Sequence, residues 1–293
     1  MSAFLPATLW AQSESRIHLL HSDRLYHDTE IDARAQILVG NVQFRHDDVL
    51  MYCDSALFYE ASNSLDAFGN VRMNQGDTLS LAGDVLFYNG LDKLARVRNN
   101  VVLVHGKTTL YTDSLDYDRL YNVGYFFEGG HLVTQDNDMT SDWGEYRPET
   151  KVAVFNYNVH LVSPAPPQKA RTTLLTDTLY YNTVTSVANA RGPSTIDDGG
   201  CHIYTELGYM NSKNNDLTLL NRSEMSNNGK KLIGDSIVWN SVDSIGEAFG
   251  NVVYTDVLNK NAMTGNYCYY DDKTGYSLGT DSACILDFSQ GPD

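Results

Sequence analysis

This chain of 293 residues is poor in the residues that usually carry chemistry. It has four cysteines, Cys53, Cys201, Cys268 and Cys284, and no two stand in a CxxC pair, so a zinc or iron–sulfur site built on thiolates is not expected. A Cys268–Cys284 bridge stays open if their strands adjoin. Basic residues are scarce: 21 Lys and Arg against 37 Asp and Glu leave a net charge of −16. With no basic cluster, the chain lacks the phosphate neutralisation on which nucleic-acid binding depends. The eight histidines, at 18, 21, 27, 46, 105, 131, 160 and 202, form no HExxH spacing, and neither a GxSxG elbow nor a GxxxxGK[ST] loop occurs. No catalytic residue, metal or cofactor is therefore expected. No apolar run after the N-terminus approaches the ~18 residues of a spanning helix. Helical periodicity is nearly absent, outside a doubtful stretch between Ser15 and Tyr26.

What the chain does have is a repeat. Anchor residues Asp54, Asp84, Asp113, Asp142, Asp177, Glu206, Asp235 and Asn266 follow one another at separations of 30, 29, 29, 35, 29, 29 and 31. Self-similarity at such a period marks one supersecondary unit copied along the chain, here about eight times. Three positions before each anchor stands Met51, Leu81, Leu110, Met139, Leu174, Ile203, Leu232 or Met263. One position before it the residue is small (Cys53, Gly83, Thr112, Ser141, Thr176, Thr205, Gly234, Gly265), which points to close packing. Two positions after it come Ala56, Leu86, Leu115, Gly144, Leu179, Gly208, Ile237 and Cys268, and four after it Phe58, Tyr88, Tyr117, Tyr146, Tyr181, Met210, Trp239 and Tyr270.

The positions before and after the anchor differ in parity, and a regular strand would send them to opposite faces. For all four to enter one core, the strand must change phase at the anchor through a bulge or bend. The anchor carboxylate then serves the structure, accepting backbone N–H groups left unpaired there. Leu20, Asp23 and Leu25 fit the −3, anchor and +2 positions, which makes the stretch near residue 20 a degenerate first copy rather than a helix. Between anchors recurs Gly-Asn-Val, at 40–42, 69–71 and 250–252, with weaker copies at Asn99-Asn100-Val101 and Tyr157-Asn158-Val159. Gly and Asn tolerate positive φ, so the pair reads as a tight turn with the valine opening the next strand. Each unit is then two or three short strands.

A continuous repeat argues for one elongated body in which each copy rests on its neighbours. The expected division is therefore 1–16 as either the remnant of a secretory signal or a disordered start, and 17–293 as a single β domain with a loop insertion near 163–170, at Ser163-Pro164-Ala165-Pro166-Pro167. The fragment Gly279-Thr280-Asp281-Ser282 reads as the start of a further unit.

Gly-Asn-Val, about ten residues, then aliphatic-x-small-Asp-x-aliphatic-x-aromatic resembles the OstA/LptA-like family of lipopolysaccharide-transport proteins. The best copies are Gly40-Asn41-Val42 with Met51 to Phe58, and Gly69-Asn70-Val71 with Leu81 to Tyr88. The resemblance implies an all-β fold, an elongated twisted β-jellyroll or solenoid-like groove. It also implies a non-enzymatic periplasmic carrier or bridge, with outer-membrane association as a further option, that holds the acyl chains of lipopolysaccharide or a related glycolipid. Inward aliphatic and aromatic side chains suit such a lining. The groove candidates are Met51, Phe58, Leu81, Leu86, Tyr88, Leu110, Leu115, Tyr117, Met139, Tyr146, Leu174, Leu179, Ile203, Leu232, Ile237 and Met263. Partners would be other proteins of this fold, joined head to tail by strand addition, and copies of the chain itself. Two rivals remain: an adhesive or structural solenoid with a sealed core, and a carbohydrate-active β-helix protein, for which Trp143 and Tyr125 are candidate surface aromatics.

Overall fold

A computed structural model describes residues 15–163 and 171–289. Residues 1–14 of the signal remnant and 164–170 of the insertion lie outside the described residues. The rest forms one antiparallel sheet of 22 strands, with a single four-residue helix at Thr29–Asp32. Among the described residues no helix is long and apolar enough to cross a membrane. The stretch near residue 20 is two short strands, His18–His21 and Arg24–Tyr26, that flank Asp23 as a degenerate copy should, although Leu20 and Leu25 are exposed.

Most copies are two long strands rather than two or three short ones, although the copy around Asp142 is broken into Val123–Phe126, Gly130–Val133, Asp138–Ser141 and Trp143–Arg147. Val49–Tyr59, Ser64–Gln75, Leu79–Asn89 and Leu94–His105 set the pattern of 11 and 12 residues, each pairing with the strands before and after it. The Gly-Asn pair does not turn the chain between strands, as its composition suggested. It sits in mid-strand, where Val39 pairs with Ser55 and Val42 with Cys53, leaving Gly40 and Asn41 both opposite Asp54. This is a β-bulge, and it takes two consecutive residues at positive φ: 86° and 48° at Gly40 and Asn41, 74° and 46° at Gly69 and Asn70. The same backbone recurs without the signature at Asn221-Arg222 and Asp281-Ser282. Asp281 and Ser282 are thus the bulge half of the last copy, facing Asn266, and not the anchor of a new one.

The bulge produces the expected change of phase. Along Val49–Tyr59 the inward residues are Val49, Met51 and Cys53, then Ala56 and Phe58, while Asp54 stays exposed. The anchor carboxylate is held chiefly by a side chain and not by freed backbone groups. Asn41, Asn70, Asn100, Asn158 and Asn251 donate from Nδ2 to Asp23, Asp54, Asp84, Asp142 and Asp235 across 2.9, 2.7, 2.7, 2.6 and 2.7 Å. A backbone N–H reaches an anchor at Asn100, which donates to Asp113 Oδ1 over 3.3 Å. All eight anchors are exposed, in a line along the outside of the sheet.

Strands of 11 residues laid flat would keep the two edges of the sheet about 36 Å apart. His46, at the edge that holds the hairpins near residues 47, 76, 106 and 135, nevertheless lies 2.6 Å from the hydroxyl of Tyr88, at the opposite edge. The sheet is therefore rolled on itself around its inner face, and one edge meets the other along a polar seam. Lys93 Nζ donates to Asp47 over 2.7 Å, Arg119 Nη2 to Asp48 over 2.8 Å, and Ser186 Oγ to Asp136 over 2.5 Å. Inside the roll the apolar side chains form one continuous core.

Candidate functional site

Tyrosine at the +4 position explains how the seam is closed. Tyr88, Tyr117, Tyr146 and Tyr181 bury their rings in the core and present their hydroxyls at the seam. Tyr88 accepts from Arg119 Nη1 over 2.6 Å, which leaves its own proton for His46 Nδ1. His46 consequently carries its hydrogen on Nε2, and this atom and Arg119 Nε are the buried polar atoms without a partner among the described residues. Lys151 donates to His105 Nε2 over 2.9 Å, so His105 Nδ1 faces the Tyr146 hydroxyl, 3.0 Å away, with its proton. Asn137 Nδ2 donates to Tyr181 over 2.7 Å and to Ser212 over 2.6 Å. Burial pushes the Tyr117 hydroxyl up to about 12 and lowers both histidines, His105 also through the nearby Lys151 cation. Neutral histidines therefore sit at the seam at physiological pH.

In the later copies the +4 position carries Met210 and Trp239, which have no hydroxyl to offer, and the latches stop. No hydrogen bond or ion pair joins the hairpin at Gly199-Gly200 to the one at 241–244 among the described residues; Ser241 bonds back to Asn215 and Asp216 on its own edge. Here the roll stands open over a cavity of about 620 Å³. Its apolar wall includes Met225, Leu232, Ile237, Trp239, Ala248, Ala262, Met263 and Cys268, and its rim carries Lys230, Lys231, Asp256, Tyr270 and Asp272. The size lies within the roughly 300–1,000 Å³ of ordinary ligand sites, and the wall is of the expected apolar kind.

All sixteen inward candidates from the sequence belong to one interior, but they do not share one environment. Met51, Phe58, Leu81, Leu86, Tyr88, Leu110, Leu115, Tyr117, Met139, Tyr146, Leu174, Leu179, Ile203 and Ile237 pack against each other as buried core, whereas Leu232 and Met263 are only partly covered. Leu232, Ile237 and Met263 border the cavity. Trp239, Ala248 and Ala262 line it too and were not among the candidates; the replacement of tyrosine at +4 by Met210 and Trp239 was the available signal. The cysteines are unbridged, including Cys268, on the cavity wall, and the exposed Cys284. Trp143 and Tyr125 lie half-buried in the sheet.

The profile of the OstA-like protein family matches residues 14–166, just over half of the chain. The chain belongs to the OstA-like family. A second profile, described as lipopolysaccharide-assembly, LptC-related, matches residues 123–227 of this OstA-like chain. No curated protein matches it. Among solved structures, LptH of Pseudomonas aeruginosa, described as the LptA homologous periplasmic component of a lipopolysaccharide transport device, is 15% identical over 39% of this chain and 81% of that one, with a TM-score of 0.34. Apo AztD from Citrobacter koseri is 9% identical over 90% and 87%, with a TM-score of 0.16. Scores this low carry no weight, and the fold stands on its own strand pairing. The OstA-like match falls on the latched part of the roll, and the residues that line the cavity all lie beyond it.

Proposed function

We propose that this OstA-like chain is a periplasmic component of lipopolysaccharide transport that shelters acyl chains in the cavity between Cys201 and Ile285. The supporting observation is the apolar wall opened at one stretch of an otherwise packed interior, in a chain whose family and second profile both concern lipopolysaccharide assembly. Each methylene moved from water to such a wall gains about 0.8 kcal/mol, so on the order of ten buried carbons are needed to hold a lipid reversibly. Met225 and Met263 let the wall adapt to chains of different shape. The exposed anchors, spread in a line and each serving a bulge, favour a transport component over an enzyme.

Among the described residues Tyr276–Thr280 and Cys284–Asp287 pair on one side only, with Asn261–Asp271, and Leu278, Ile285 and Leu286 are exposed there. Such an edge suits strand addition by another OstA-fold protein or a second copy. The carrier reading is tested by incubating the purified chain with lipopolysaccharide and separating the complex by gel filtration. Co-elution of lipid that is reduced at least fivefold by Met263→Asp supports it, and no co-elution with the unmodified chain overturns it.

A further inference from the structure

We propose that the protein holds lipid only in its C-terminal third and exchanges it sideways through the unlatched seam, while the latched N-terminal stem is a closed strut that carries none. This rests on the carrier reading above and goes beyond it, because a rolled sheet with an apolar interior could equally serve as a conduit along its whole length.

Two independent features of the stem argue against passage. The first is its filling. Tyr88, Tyr117, Phe126, Tyr146 and Phe155 are each at most 2% exposed and occupy the middle of the roll. An interior at crystal-like density has no room for an added alkyl chain, and enlarging it means parting side chains that sit in their rotamer minima. The second is its closure. A chain that entered with its polar head outside would have to part the seam at each latch in turn, leaving buried Arg119 and the neutral His46 without Tyr88. Neither obstacle is found among the described residues between the hairpins at Gly199-Gly200 and 241–244, where Met210 and Trp239 stand in place of the seam tyrosines and the apolar wall borders open space. The rim at that opening is charged, with Lys230 and Lys231 beside Asp256 and Asp272, so a headgroup can stay in water while its chains lie against the wall.

The experiment places one diazirine amino acid at a time in the full chain, at Leu110 or Met139 in the stem and at Leu232 or Met263 on the cavity, and irradiates each protein with lipopolysaccharide. The expected result is capture at 232 and 263 at least tenfold above that at 110 and 139. In parallel, Ala248→Trp, on the inner face between Ile237 and Cys268 and checked for unchanged strand content by circular dichroism, should lower uptake at least fivefold, whereas Leu110→Ala should leave it within twofold. Equal capture at stem and cavity positions would overturn the strut while leaving the carrier intact, as would uptake unaffected by a folded Ala248→Trp protein. Absence of lipid from every variant and from the unmodified chain would overturn the carrier reading and this inference with it.

Discussion

Asn70 donates its side-chain amide to the Asp54 carboxylate across 2.7 Å, and the neighbouring Gly69, at φ +74°, holds that amide in place. A Cβ on Gly69 would lie 2.6 Å from Asp54 Oδ2. Gly69→Ala should therefore cost about 2–3 kcal/mol, from the left-handed backbone and the clash together. Asp54→Ala, which removes an exposed charge-assisted hydrogen bond, should cost about 1 kcal/mol. The double variant should be less destabilised than the sum, since removing the carboxylate removes the clash. At Gly192 the same Cβ would stand 3.5 Å from Asp177 Oδ2, so Gly192→Ala should cost less than Gly69→Ala. Urea unfolding of the five proteins checks the order.

The seam tyrosines should differ from their counterparts at the open end. Tyr88→Phe strands His46 Nδ1 and Arg119 Nη1 in a buried site and should destabilise by about 1–3 kcal/mol. Tyr270→Phe, whose hydroxyl meets Asp272 in the open, should change stability by less than about 0.5 kcal/mol. Equal effects in thermal unfolding would contradict the division between latched and open seam.

Acid should weaken the fold in two steps. Burial lowers His46 and His105, so the unfolded chain takes up protons near the ordinary histidine value of about 6.5 while the folded chain still resists. Their contribution is fully present above that pH and is lost as pH falls through the folded values. Asp47 is held at about 2, first by the Lys93 hydrogen bond, so its share is present above about 4 and disappears only toward pH 2. Replacing both histidines by glutamine should flatten the first step and spare the second. Stability measured from pH 8 to pH 2 separates them.

Thiol alkylation should sort the cysteines by burial. Cys284 is exposed and should react within minutes under native conditions. Cys201 borders the cavity with its thiol pushed up by burial, and should react slowly and more slowly still with lipid present. Cys53 is buried and pushed up to about 12, and should remain unmodified until the chain unfolds. Mass spectrometry of timed samples gives the order.

Much of the fold was legible because the anchor sits at a parity break. Met51 and Cys53 before Asp54, Ala56 and Phe58 after it, could all reach one core only through a bulge, and the structure places one there. The Gly-Asn pair misled because positive φ is shared by hairpin turns and by bulges, and composition does not tell them apart. Pairing between the far edges of the sheet was not legible at all. His46 and Tyr88 stand 42 residues apart with no local signal, and their contact follows from the curvature of the whole roll. The open stretch was the least legible: most inward candidates pack as filled core, and only the absence of tyrosine at 210 and 239 separates a lined cavity from it.

The latches across the seam join residues that stand between 41 and 75 positions apart in the chain. On the ribosome, closure must therefore lag behind emergence by that length, a delay of several seconds at the usual pace of ~5–20 residues per second. Deleting one copy from the stem should shorten the protein without sealing its cavity, and a chain cut after Asn211 should unroll strands that the intact protein keeps closed.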